Sequence, residues 1–172
     1  TLTSQSRLIY NFSAGLRLCG EERYARAVHS GADCLIEKFR DRDVGGWYFS
    51  VSPRGKVLDE TKEGYGHAFM IFALAHAARA TADTRYATIA REVWELLRTR
   101  FSDGRGGIWR KMSRDFLPRD GQKSQNPIMH LFEALLALGE VPGQDDAHRD
   151  AADVADFVLG RLLRDEDGII PE

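Results

Sequence analysis

The chain has 172 residues, 43% hydrophobic, 29% charged and 10% aromatic, which is enough apolar mass for a closed core and excludes intrinsic disorder. Its 24 Lys+Arg against 26 Asp+Glu, a formal net charge of −2, give no case for a polyanionic partner such as DNA or RNA. The length suits a single domain, and the longest apolar run, Ala68–Ala75, is far short of the roughly 18–20 residues of a membrane span.

Helical periodicity runs the length of the chain. Residues 5–19 and 22–39 read as a first helix pair. Residues 65–81 are apolar nearly all round, as in a helix buried on every side, and 85–101 are amphipathic through Tyr86, Ile89, Val93, Trp94, Leu97 and Phe101. The alternation repeats at 126–139, where His130 and Glu133 interrupt an apolar segment, and at 146–163, amphipathic through Ala147, Ala151, Val154, Val158 and Leu162. Buried and amphipathic helices in strict turn describe an inner layer wrapped by an outer one. Cys19 and Cys34 lie inside these helical patterns, so neither a disulfide framework nor a zinc ribbon is expected; with no signal peptide at the start, the expected location is cytoplasmic.

A repeat accompanies the helices. Phe39-Arg-Asp-Arg-Asp-Val-Gly-Gly-Trp47 recurs as Phe101-Ser-Asp-Gly-Arg-Gly-Gly-Ile-Trp109, 62 residues on, with a degraded third copy at Leu163–Gly168. His67 and His130 lie nearly in step with it. Two loops, 41–64 and 102–125, are long for connections inside a compact repeat, and each carries a strand–turn–strand pattern: Trp47–Val51 with Lys56–Leu58, and Ile108–Met112 with Phe116–Leu117. The elaborated end of the ring is therefore the end where long loops feed the inner helices.

The polar residues near the starts of those helices are Arg7, Tyr65, Asn126 and His130, the last one turn on from Asn126 and on the same face. They are expected to converge near the ring axis, where unpaired N–H groups and the positive dipole ends suit a ligand that carries or develops negative charge. Each also has a plain structural reading. Asn126 before Pro127 fits an N-cap, Tyr65 a core aromatic, His130 a core histidine, and Arg7 a surface charge. Trp47 and Trp109 fit either sugar stacking or loop anchoring. His130 and Glu133 have the i, i+3 spacing of a helical metal site in reverse order, but no second such helix supports it, so no metal is expected. Phosphate-loop and nucleophile-elbow motifs are missing.

Four segments carry a family resemblance: Ser6-Arg-Leu-Ile-Tyr-Asn-Phe-Ser13, Gly45-Gly-Trp-Tyr-Phe-Ser50, Tyr65-Gly-His-Ala-Phe69 and Gln125-Asn-Pro-Ile-Met-His-Leu-Phe-Glu-Ala134. In order and spacing the chain resembles the N-acylglucosamine 2-epimerase superfamily, which includes mannose isomerases and cellobiose 2-epimerases. The resemblance implies an all-α (α/α)6 toroid, of which this single domain, residues 1–172, holds about three inner–outer pairs with β-hairpin loops at one end, the N-terminal half. It implies a cofactor-free reaction at C2 of an aldose such as mannose, glucose or an N-acylated hexosamine, by histidine acid–base transfer through an enediolate. Arg7 would then bind sugar oxygens and stabilise enediolate charge, Tyr65 and Asn126 would hydrogen-bond hydroxyls, and His130 would contact the reacting end; Arg7 and His130 are the catalytic candidates. The two principal acid–base histidines of such toroids belong to the second half. His29 and His148 read as outer-helix surface residues, and His76 lies far down its helix.

The expectation is a chain that supplies the monosaccharide-binding half, is inactive alone, and either forms a homodimer or is complemented by a C-terminal half. Two other readings stand beside it. A glycoside hydrolase on a related toroid would need two positioned carboxylates, for which Asp59, Glu63 and Asp120 are loop candidates. A non-catalytic module could bind sugar or another chain through its open inner face.

Overall fold

The computed structural model describes residues 1–119, 124–164 and 166–170. Among the described residues six α-helices form three consecutive pairs: α1 (Leu2–Cys19) with α2 (Glu22–Lys38), α3 (Gly64–Thr81) with α4 (Thr84–Arg100), and α5 (Gln125–Gly139) with α6 (Asp146–Phe157), which runs on into a π-helical turn, Val158–Leu162. The inner helices begin at residues 2, 64 and 125, so the repeat read from the sequence is the spacing of the pairs.

Sequence chemistry sets the helix ends. Thr1 and Asp83 accept backbone N–H bonds from Ser4 and Arg85 at the starts of α1 and α4, and Gly20 ends α1 with φ 68°, a left-handed conformation that glycine adopts without strain. At α5 the cap is Ser124, whose hydroxyl accepts from Asn126 N–H. Asn126 is thus inside the first turn, and the capping reading of the Asn-Pro pair is corrected: Ser124, two residues earlier, already has the extended backbone a cap requires.

Helix α3 packs against α1 on one side and α5 on the other, with α4 behind it, which is why its sequence is apolar all round. Gly66 permits the close approach of α1: a Cβ there would lie 3.1 Å from Leu2 Cδ2. Helices α1 and α5 flank α3 and keep apolar residues on the surface, Leu8 and Leu18 on α1 and Met129 and Leu136 on α5. Beside Met129 runs an open apolar groove of about 350 Å³, lined by Ile128, Phe132, Val158, Leu159 and Leu162. Among the described residues no helix is long and apolar enough to cross a membrane.

The loops are built as expected in outline and differ in pairing. In the first, β1 (Ser50–Val51) and β2 (Val57–Asp59) form an antiparallel hairpin. In the second, the hairpin is reduced to a Met112–Pro118 bridge closed by Ser113 N–H to Leu117 O at 2.8 Å. The strand partners cross between loops instead: β3 (Lys62–Glu63) pairs antiparallel with β4 (Lys111–Met112). The Phe-x-Asp repeat is visible in the backbone but shifted. Phe39 O accepts from Tyr48 N–H and Phe101 O accepts from Trp109 N–H, each at 2.8 Å, so Trp109 occupies the place of Tyr48, and Ile108 that of Trp47. The second turn is one residue shorter.

A buried ionic clamp joins the two loops. Lys62 Nζ, with no exposed side-chain surface, donates to Asp41 Oδ2 at 2.9 Å and Gly45 O at 2.8 Å and lies over the Tyr48 ring. Arg114, from the second loop, reaches both Asp41 oxygens at 2.7 and 3.0 Å. The Arg114 guanidinium, helped by Lys62 and the Val44 N–H, holds the Asp41 carboxyl well below the usual carboxylate range.

Candidate functional site

Three of the four candidate residues meet at the loop end of the inner wall. Arg7 Nη2 donates to the Tyr65 hydroxyl at 3.0 Å. Tyr65 stands edge-on to the His130 ring, with centroids 5.1 Å apart. Phe69 joins them: the Arg7 guanidinium lies 4.8 Å above its ring, and the His130 ring is tilted against it at 4.6 Å. Helix register explains the meeting. Arg7, Phe69 and His130 are each the sixth residue of their helices, and Tyr65 and Asn126 each the second. Equivalent positions on adjacent, similarly directed helices form a row, so cation, aromatic ring and imidazole stack in sequence across α1, α3 and α5.

The register also corrects an apparent symmetry. His67 and His130 are nearly in step along the chain, but His67 is the fourth residue of α3, about 200° around the helix from the sixth-residue row. It is wholly buried, donates from Nδ1 to Glu63 O at 2.8 Å and accepts Trp47 N–H on Nε2 at 3.2 Å. It ties the first loop to its helix and does not face the row.

His130 keeps about a fifth of its side chain exposed, and its Nδ1 lies 2.8 Å from Glu133 Oε2. Asn126 is exposed on the first turn of α5, the same helix face as His130, and among the described residues its side chain makes no hydrogen bond. Below the row, His76 continues the Tyr65–Phe69–Phe72 stripe and packs against Tyr10 and Phe72; burial pushes its pKa down to about 4, so it is neutral at pH 7. His29 is half-buried rather than on the surface, bonded to the Tyr86 hydroxyl at 2.8 Å, whereas His148 is exposed as expected of its helix face.

The remaining candidates lie elsewhere. Trp47 is 1% exposed and packs edge-on to His67, so it anchors the loop and has no face for a sugar. Asp59 is occupied by Thr61, whose hydroxyl and N–H both donate to it and lower its pKa. Glu63 is on β3, its pKa raised by burial against the pull of Lys111 and Arg110. Asp120 lies outside the described residues. Phe69 and Glu133 are not among the residues that the sequence brings to this end. Aligning the helices by their first residues would have put Phe69 in the row, and the i, i+3 spacing already placed Glu133 beside His130.

Chemically, the row offers one cation, two hydrogen-bonding polar tips and an aromatic surface on rigid helices, features that recognise a polyhydroxylated ligand with a polarised oxygen. Known proteins show the same architecture. The chain is 30% identical over 147 residues to the cellobiose 2-epimerase of Bacteroides fragilis, covering 79% of this chain and 38% of that protein. It is 29% identical over 149 residues to the D-mannose isomerase of Thermobifida fusca, covering 83% and 35%. The structure of cellobiose 2-epimerase from Spirochaeta thermophila superposes with a TM-score of 0.85 at 24% identity, over 94% of this chain and 43% of that one. The chain thus spans about two fifths of the length of these relatives. The sequence profile of N-acylglucosamine 2-epimerase (GlcNAc 2-epimerase) matches residues 1–172 from end to end, and the chain belongs to that family.

Proposed function

We propose that this chain forms the sugar-binding wall of an isomerase acting at C2 of an aldose, either a 2-epimerase or a ketose-forming isomerase. The observation that carries the reading is the contiguous Arg7–Tyr65–His130 cluster at the loop end of the inner wall. In this reading Arg7 binds sugar oxygens and stabilises the enediolate that forms when the proton at C2 leaves, while Tyr65 and Asn126 hold hydroxyls. His130 meets the reacting end of the open-chain sugar, and imidazole as a group can pass protons near neutral pH. Acid–base histidines on further inner helices would complete the reaction. The apolar groove beside α5 and the exposed leucines of α1 support a ring continued by further helix pairs, on the same polypeptide or a second one.

The test uses the protein that contains this chain, incubated with mannose, glucose, N-acetylmannosamine and cellobiose in D2O. Products are separated, and deuterium at C2 of an epimer or at C1 of a ketose is read by NMR. The expected result is a C2 epimer or a ketose, with turnover strongly reduced in Arg7→Ala and His130→Ala. Normal turnover in both variants, or cleavage of the glycosidic bond of cellobiose with no change at C2, contradicts the proposal.

A further inference from the structure

The hydrogen bond between His130 and Glu133 determines which ring nitrogen is available for chemistry. The Nδ1 to Oε2 distance is 2.8 Å, and the two residues lie one turn apart on α5. A carboxylate at neutral pH only accepts, so the hydrogen between them belongs to Nδ1. Two further contacts hold the ring plane: Phe69 tilted against it at 4.6 Å and Tyr65 edge-on at 5.1 Å. Among the described residues Nε2 makes no hydrogen bond.

We infer that Glu133 is a positioning residue, which fixes the neutral form of the His130 ring as the Nδ1–H tautomer so that Nε2 offers a lone pair to a ligand on the inner wall. In water a neutral imidazole favours the opposite, Nε2–H form, and which nitrogen is protonated in a folded protein follows the hydrogen bond the other one makes. With Nε2 as acceptor, His130 recognises a hydroxyl donor, whereas the Nε2–H form would recognise a carbonyl oxygen. Glu133 thereby sets the polarity of recognition at the middle of the row. An exposed i, i+3 contact with no such role would contribute only to helix stability and would leave the tautomer unchanged on removal. The activity part of the test rests on the sugar reading above; the tautomer part does not.

The experiment is long-range 1H–15N NMR on protein labelled with 15N-histidine, with the His130 signals assigned by their loss in His130→Gln. The expected result is protonation at Nδ1 in the native protein and in Glu133→Gln, whose amide oxygen still accepts, and a shift to the Nε2–H form in Glu133→Ala. On the aldose substrate Glu133→Ala is expected to lower kcat/KM about 10- to 100-fold, the range typical of groups that orient a functional imidazole, with rescue by Glu133→Gln. An Nε2–H tautomer in the native protein, or the same tautomer in Glu133→Ala, overturns the inference. The expected tautomers in a protein that turns over no sugar would uphold it and defeat the sugar reading instead.

Discussion

His67 gives the sharpest stability prediction. Both of its nitrogens are committed in the neutral ring: Nδ1–H to Glu63 O, and Nε2 as acceptor for Trp47 N–H. Protonating Nε2 would set two N–H donors against each other in a site with no access to water. Burial accordingly pushes its pKa down from 6.5 to about 4. The unfolded chain binds a proton near pH 6.5 that the folded chain refuses until about pH 4. This contribution is therefore complete above the upper value and is lost as the pH falls through the window. At about 1.4 kcal/mol per pH unit, going from pH 7 to pH 5 costs about 2 kcal/mol and the whole window roughly 3. Urea unfolding followed by tryptophan fluorescence at pH 7, 6 and 5 measures it, with His67→Phe as the reference. Phenylalanine fills most of the space but orphans the Trp47 N–H and removes the donor to Glu63 O, costing about 2–4 kcal/mol at pH 7. Because it cannot titrate, the gap between the proteins is expected to close as the pH falls. Parallel pH dependence in the two proteins would refute the reasoning.

The loop clamp predicts a second acid limb at lower pH. Asp41 has a folded pKa below its unfolded value near 3.9, so its contribution is present above that value and lost as the pH falls below it; Asp41→Asn should remove the limb in the same unfolding series. At pH 7 that substitution leaves the wholly buried Lys62 without its counter-charge and is expected to cost about 3–5 kcal/mol, read from the shift of the urea midpoint. Gly66→Val forces side-chain atoms into the 3.1 Å approach of Leu2 and is expected to destabilise by about 1–3 kcal/mol, seen as a lower Tm; an unchanged Tm would mean that α1 and α3 are not tightly packed there.

The helices were legible because periodicity reports burial directly. The all-apolar 65–81 segment belongs to a helix with neighbours on every side, and the amphipathic 85–101 segment to one with a single covered face. The convergence of Arg7, Tyr65 and His130 was legible because long loops and helix starts place them at one end. Details that depend on register were less so. Trp47 and Trp109 match by residue type, yet the shorter second turn moves Trp109 to the place of Tyr48, so one indole is core and the other half-buried. Asn126 resembled a cap because Pro127 follows it, but a cap is defined by backbone conformation, and Ser124 has it. The Asp41–Lys62–Arg114 clamp joins residues 21 and 73 positions apart from Asp41, with no local pattern to betray it.

The proposed sugar binding at the row on the inner wall rests on Arg7. Its most direct measurement is kcat/KM on D-mannose, or on whichever aldose the protein isomerises, for Arg7→Ala beside Arg26→Ala, an exposed site on α2. The expected result is a loss of about 10²- to 10³-fold for Arg7→Ala, as for removal of one donor to a developing oxyanion, and native activity for Arg26→Ala. Equal activity of Arg7→Ala and the native protein would contradict it.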